Sequence, residues 1–181
     1  MSLHRRVLVL GGARSGKTRT ALRLAEEACA SRAYIATAQA FDDEMRGRIA
    51  QHKLERDGSW HTHEAPLALA EAIQAETAPG RAVVVDCLTL WLSNVILADR
   101  NPRDEMDRLI QVTTEANGPL VLVSNEVGQG IVPSTPLGRV FRDEQGRLNQ
   151  RMADACDAVV FVAAGCPILL KPAPPLQLSL G

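Results

Sequence analysis

The chain has 181 residues and a mass of 19.6 kDa, a length that predicts a single compact domain over residues 1–171. Apolar residues make up 46% and charged residues 23%, which excludes disorder, collagen and coiled coil as readings of the whole chain. Twenty basic residues stand against 21 acidic ones, a net charge of −1; this argues against a general polyanion-binding surface and leaves room for a local phosphate pocket.

Short Val-rich runs alternate with longer stretches of helical period. Residues 6–10 read as a strand closed by Gly11-Gly12, and residues 16–30 as a helix with Ala21, Leu22, Leu24, Ala25 and Ala28 on one face. A second strand covers 33–37. Asp42, Asp43 and Glu44 then place acids at the positive end of a helix predicted over 42–54. Residues 60–64 form a short strand and 66–78 an Ala-rich helix. After Pro79-Gly80, residues 82–85 are apolar throughout, the pattern of a strand buried on both faces.

Helices follow over 88–98 and 103–116, broken at Asn101-Pro102. Residues 119–124 are another buried strand, 127–133 a Gly-rich loop, 136–155 a helix, and 158–163 a strand. Residues 167–171 can add an edge strand, and 172–181, with three prolines, read as a loose tail. Such alternation implies an α/β fold, a mostly parallel sheet with helices on both faces. Right-handed crossovers gather the strand ends, and any ligand, along one edge.

Other classes fall away. The six aromatic residues (two Trp, one Tyr, three Phe) are too few for a base-stacking platform, so no nucleic-acid partner is expected. The longest apolar run, 158–164, is too short to cross a bilayer. The basic start at His4, Arg5 and Arg6 precedes an apolar stretch that stops at Gly11, so neither an export signal nor membrane insertion is expected and the chain reads as cytoplasmic. Cys29, Cys87, Cys156 and Cys166 form no C-x-x-C pair and read as reduced thiols packed as small apolar groups.

The strongest motif is Gly11-Gly12-Ala13-Arg14-Ser15-Gly16-Lys17-Thr18, a full G-x-x-x-x-G-K-[ST] loop between a buried strand and a helix. Glycines let the backbone curl so that successive N–H groups face phosphate oxygens, and the helix end adds partial positive charge. Lys17 is placed to reach the β- and γ-phosphates and the Thr18 hydroxyl to hold Mg²⁺. The chain has three lysines against seventeen arginines. With those frequencies a chance match has odds on the order of 10⁻³. The loop resembles that of the P-loop NTPases; the fold class expected is therefore a P-loop NTPase of RecA-like type, and the loop implies binding of a nucleoside triphosphate.

Asp86 ends the apolar strand 82–85, where the second acid of such a site helps to hold Mg²⁺. Asn125-Glu126 ends the next strand on the same edge, with turn capping as the plain alternative. Gly128 and Gly130 beyond it mark a loop that moves or approaches a ligand closely. Met45, Ile49 and His52 share a helix face, with Arg48 one turn before His52 and Arg56 one turn after. Two readings stand: a half-buried histidine with a partner, or a nucleophile between two phosphate-binding arginines, since a neutral imidazole can attack phosphorus. His61 and His63 alternate along one strand face, with no further ligand at metal spacing. Glu64 closes that strand and can accept a ribose hydroxyl or a guanine N–H.

The ensemble resembles a known family. The blocks are G-G-A-R-S-G-K-T at 11–18, Y-I-A-T-A-Q at 34–39, D-D-E-M-R-G-R-I-A-Q-H-K at 42–53, D-C-L-T-L-W-L-S-N at 86–94, S-N-E-V-G-Q-G-I-V-P at 124–133 and F-R-D-E-Q-G-R-L-N-Q-R at 141–151. In this order they resemble the bifunctional adenosylcobinamide kinase / adenosylcobinamide-phosphate guanylyltransferases of cobalamin synthesis. The resemblance implies two reactions. ATP or GTP phosphorylates the aminopropanol hydroxyl of adenosylcobinamide; GMP from GTP is then added to adenosylcobinamide phosphate, giving adenosylcobinamide-GDP and pyrophosphate.

It also implies that His52 is the guanylylated histidine, that Thr37, Ala38, Gln39 and Lys53 belong with the nucleotide contacts, and that the enzyme is a homotrimer. Gln51 stands where some relatives carry a second histidine or an arginine, so no neighbouring histidine can take over from His52. The readings it displaces are a P-loop kinase of another small hydroxylated metabolite, and a nucleotide-driven switch, for which no N-K-x-D guanine motif occurs.

Overall fold

The apolar runs of the chain are its strands, and all seven found among the described residues join one sheet. The computed structural model describes residues 4–39 and 58–174. The strands are β1 (Arg6–Gly11), β2 (Ser31–Ala36), β3 (Trp60–Glu64), β4 (Arg81–Asp86), β5 (Leu120–Asn125), β6 (Ala158–Ala163) and β7 (Cys166–Lys171). Their spatial order is β3-β2-β4-β5-β1-β6-β7. Every neighbouring pair is parallel except β6 and β7, whose tight turn makes them antiparallel. The predicted mostly parallel α/β architecture is therefore the one observed.

Helices α1 (Lys17–Ala28), α2 (Leu69–Glu76), α3 (Leu88–Leu97), α4 (Pro102–Glu115) and α5 (Pro136–Ala155) cover both faces, unevenly. On one face Val9, Val84, Val121 and Val123 pack against Ala21, Leu22 and Ala25 of α1. On the other, Leu8, Val83, Val85 and Leu122 meet Leu69 and Ile73 of α2, Leu88 and Trp91 of α3, Leu109 of α4 and Leu148 and Met152 of α5. Successive strand residues alternate between these clusters, as the two-residue period of a strand requires. The central strands are apolar at every position because both faces are covered. Truncating one of these leucines to alanine costs about 2–5 kcal/mol.

Proline and a polar cap start two of the helices. The Asn101 side chain accepts from Arg103 N ahead of α4, and the Thr135 hydroxyl accepts from Gly138 N ahead of α5, with Pro102 and Pro136 in the first turns. Helix α2 begins three residues later than its sequence suggests. Pro66 and Leu67 are held outside it, their carbonyls accepting from Asn94 Nδ2 (3.0 Å) and Trp91 Nε1 (3.3 Å) of α3. Strand β2 starts two residues early, where Arg32 stacks on the Trp60 ring at 5.5 Å.

All four cysteines are free, with Cys87 and Cys156 buried. Cys166 departs from the packed-thiol reading: it is exposed at the start of the edge strand β7. No helix among the described residues is long and apolar enough to cross a membrane. The predicted helix over 42–54 and most of the 172–181 tail lie outside the described residues.

Candidate active site

The loop predicted to grip phosphate stands at the carboxyl edge of the sheet, between β1 and α1. Two of its glycines are required by geometry. Gly11 has φ +154° and a Cβ there would lie 2.4 Å from the Val162 carbonyl oxygen; Gly16 has φ +95° and packs against the backbone of Gly165. Arg14 also takes a left-handed conformation, φ +54°. Gly12, Ala13 and Arg14 form the exposed crest of the loop. The Ser15 carbonyl is fastened from below by Gly165 N at 2.8 Å, so the β6–β7 turn buttresses the loop. No side chain caps α1, and the N–H groups of its first turn lack helical partners.

Lys17 is buried within the curl. Its Nζ donates to Gly12 O at 2.5 Å and reaches Ser15 Oγ at 3.5 Å. Burial pulls its pKa down, opposed by Cys87 and the Asp86 carboxylate. Thr18, one residue on, donates its hydroxyl to Asp86 Oδ2 at 2.8 Å, and Tyr34 donates its own to the same oxygen at 2.9 Å. The predicted pair Thr18 and Asp86 is thus brought together from the start of α1 and the end of β4. Tyr34 is a partner that reading the sequence missed. Its sign was available in the alternation of β2, which places Tyr34 on the α1 face with Val84.

Thr37 follows β2 and has no exposed surface. Its hydroxyl accepts from Cys87 N (2.8 Å) and donates to Cys87 O (2.7 Å), while its carbonyl accepts from Asn94 Nδ2 at 2.8 Å. Thr37 therefore locks the residue after Asp86 in place from the interior. Burial, helped by the Asp86 carboxylate and opposed by the backbone N–H groups of Leu90 and Thr89 and by Lys17, pushes the Cys87 thiol up to about 12, which keeps it protonated and inert. Ala38 and Gln39 are half-buried at the same edge. Glu64 closes β3 in register with Ala36, which in turn faces Asp86 across β2 and β4. Glu64 and Asp86 thus stand in one row two strands apart, about 10 Å at ordinary strand spacing.

The Asn125-Glu126 pair divides. Glu126 caps its own turn, Oε1 accepting from Gly128 N at 2.7 Å, and its backbone N–H donates to Gly11 O at 3.0 Å. Behind the strand end, Ser124, Gln145 and Asn149 form a buried polar network that the sequence reading missed. Ser124 Oγ donates to Asn149 Oδ1 (2.7 Å), and Gln145 Nε2 donates to both Ser124 Oγ and Asn149 Oδ1. His61 and His63 share one side of β3, as their alternation implies. Both reach Glu76 Oε1, at 3.4 and 3.1 Å, while Arg81 holds Oε2 at 3.2 Å. No group of three or more His, Cys, Asp or Glu side chains among the described residues could hold a metal ion. His52, Arg48, Lys53 and Arg56 lie outside the described residues.

Comparison with known proteins agrees with this geometry. The model of the family described as cobinamide kinase / cobinamide phosphate guanyltransferase matches residues 7–170. The bifunctional adenosylcobalamin biosynthesis protein CobP of Pseudomonas aeruginosa is 49% identical over 171 residues, covering 93% of this chain and 99% of the relative. CobU of Salmonella typhimurium, under the same description, is 41% identical over 180 residues, covering 91% of this chain and 99% of the relative. Among solved structures, the ATPase EscN of the enteropathogenic E. coli type III secretion system superposes with a TM-score of 0.52 at 12% identity, over 89% of this chain and 43% of its own. That likeness speaks to the fold alone, a P-loop ATPase sheet. With the loop, the acid and the sheet in their places, the family match across residues 7–170 puts the chain in the cobinamide kinase / cobinamide phosphate guanyltransferase family, whose members join a kinase to a nucleotidyltransferase.

Proposed function

We propose that a single triphosphate grip, Gly11 to Thr18 with Asp86, serves both reactions of the family in this chain. The observation that carries the reading is Lys17, buried in the curl beside the Thr18–Asp86 hydrogen bond. An ammonium taken out of water gains most when an anion arrives, and a triphosphate restores what burial removes. The crest amides and the uncapped first turn of α1 add N–H donors aimed at the same anion. Arg14 on the crest, with Arg48, Lys53 and Arg56, supplies further charge to the phosphates. Ala38, Gln39 and Glu64 border the nucleoside; the Glu64 carboxylate can accept a ribose hydroxyl or a guanine N–H.

The Thr18 hydroxyl and the Asp86 carboxylate are hard oxygen donors 2.8 Å apart, a pair that suits Mg²⁺. Bound there, the ion would neutralise charge on the phosphate oxygens. The chain's own residues hold the two reacting ends. In the kinase step Lys17 draws charge from the γ-phosphate as it passes to the aminopropanol hydroxyl of adenosylcobinamide.

In the transferase step a neutral His52 nitrogen bonds to the α-phosphorus of GTP and pyrophosphate leaves, still held by the loop. The phosphate of adenosylcobinamide phosphate then takes the GMP group and the imidazole is released. On the family's pattern the enzyme is a cytoplasmic homotrimer.

Incubation with GTP labelled at the α-phosphate tests this reading. A covalent protein adduct is expected that survives alkali, falls apart in acid and is lost in His52→Ala. An adduct that persists in that variant assigns the nucleophile elsewhere.

A further inference from the structure

The strand that ends in Glu64 stands at the border of the sheet. Among the described strands β3 has β2 as its one neighbour, so the ladder holds it from one side only. That ladder reaches Ala65, whose N–H donates to Ala36 O at 2.8 Å. Beyond it the two strands leave the sheet, β2 through Thr37 to Ala38 and Gln39, and β3 through Ala65 to Pro66. These two exits carry the residues assigned above to the nucleoside.

One side chain of α3 joins the exits. Asn94 is buried, and its Nδ2 donates to Thr37 O at 2.8 Å and to Pro66 O at 3.0 Å. Both partners are carbonyl oxygens, which only accept, so the amide must turn its NH₂ end to them. The two N–H bonds of one nitrogen hold those carbonyls about 5 Å apart. One turn earlier on α3, Trp91 Nε1 donates to Leu67 O at 3.3 Å and fixes the chain beyond Pro66. Thr37 is itself pinned to the end of β4. Its N–H donates to Asp86 O at 3.2 Å, and its hydroxyl bridges Cys87 N and O. The tie therefore runs from β4 through Thr37 and Asn94 to the exit of β3. An amide bridge shut off from water is stronger than an exposed one, and a buried carbonyl left unmet is costly.

We propose that Asn94 is a positioning residue for nucleoside recognition. It touches no nucleotide; it sets the spacing between Ala38–Gln39 and Glu64, so that both meet one nucleoside whose phosphates the loop holds. The proposal rests on the assignment of Glu64 to the nucleoside made above. A carboxylate recognises a ribose hydroxyl or a guanine N–H only within hydrogen-bond reach, and a displacement of about 1 Å loses the contact. The phosphate grip stands on β1 and β4, each braced directly by β5. The phosphates and the nucleoside are thus held by different parts of the fold, and Asn94 serves the second.

Affinities of the full chain for GTP and for inorganic tripolyphosphate, both with Mg²⁺, test this, because tripolyphosphate engages the grip and carries no nucleoside. Asn94→Leu keeps the size of the side chain and removes both donors. Asn94→Ser keeps a donor on a shorter stem and reports should the leucine variant fail to fold. GTP affinity is expected to fall about 10-fold in Asn94→Leu and about threefold in Asn94→Ser, with tripolyphosphate affinity within about twofold of wild type. In a Glu64→Ala background the same substitutions are expected to cost little more, since the group they position is gone. Unchanged GTP affinity overturns the proposal. So does an equal loss for both ligands, which marks a structural role. A further loss in the Glu64→Ala background as large as in the wild-type chain overturns it as well. Wild-type GTP affinity in Glu64→Ala itself overturns the underlying reading of Glu64, and the proposal falls with it.

Discussion

The Thr18 hydroxyl meets Asp86 Oδ2 at 2.8 Å, linking two motifs that are 68 positions apart in the chain. Parallel strand order brings them together, since every crossover returns the chain to the same sheet edge. Asp86→Asn keeps an oxygen for Thr18 and Tyr34 to donate to and removes only the charge. It is expected to lower both the kinase and the transferase rate about 100-fold and to shift the Mg²⁺ dependence to higher concentration, with little change in melting temperature. Tyr34→Phe removes the hydrogen bond that Tyr34 donates to the same oxygen. It is expected to cost about 1 kcal/mol of stability and to leave both rates within a few-fold of wild type. Rate measurements across a Mg²⁺ titration, beside thermal melts, separate the two roles.

Local patterns explain how much of this site is legible in the amino-acid sequence. Strands such as 82–85 and 119–124 announce themselves because a sheet covered on both faces makes them continuously apolar. The loop is legible because its chemistry lies within eight consecutive residues. What stayed hidden depends on register between distant elements. The resemblance places Thr37 among the nucleotide contacts, and only the fold reveals that its hydroxyl also bonds Cys87, 50 positions away. The Ser124–Gln145–Asn149 network needs α5 laid against the tip of β5 before its polar residues make sense inside a core. The start of α2 is hidden for a similar reason: nothing local reveals that Asn94 and Trp91 claim the carbonyls of Pro66 and Leu67.

Lys17→Ala removes the ammonium that donates to the Gly12 carbonyl inside the loop. Because a single grip is proposed for both reactions, kinase turnover and labelling by α-labelled GTP are expected to fall together, by about 100-fold or more. Lys17→Arg is expected to recover little, since a planar guanidinium does not fit where Nζ lies 2.5 Å from Gly12 O. Single-turnover assays of both steps check this. Labelling that stays near the wild-type rate while the kinase is lost separates the two sites and ends the one-grip account.

Stability at low pH is expected to turn on Asp157, remote from the chemistry. Its carboxylate accepts from Arg5 N (3.0 Å), Arg6 N (2.9 Å) and the Arg6 guanidinium (2.7 Å to Oδ1), tying the start of β1 to the entry of β6. The Arg6 guanidinium beside it, helped by those two N–H groups, holds its pKa down to about 2, against an ordinary 3.8. A carboxylate depressed in the folded state binds its proton more weakly there than in the unfolded chain. Its contribution is therefore complete above about pH 4 and is lost as the pH falls through about 2. Solvent screening limits the contribution to about 1 kcal/mol. Asp157→Asn is expected to melt about 2–4 °C below wild type at pH 7. The urea midpoints of the two proteins are expected to converge between pH 4 and pH 2. A gap that stays constant across that window means the carboxylate acts by packing and not by charge.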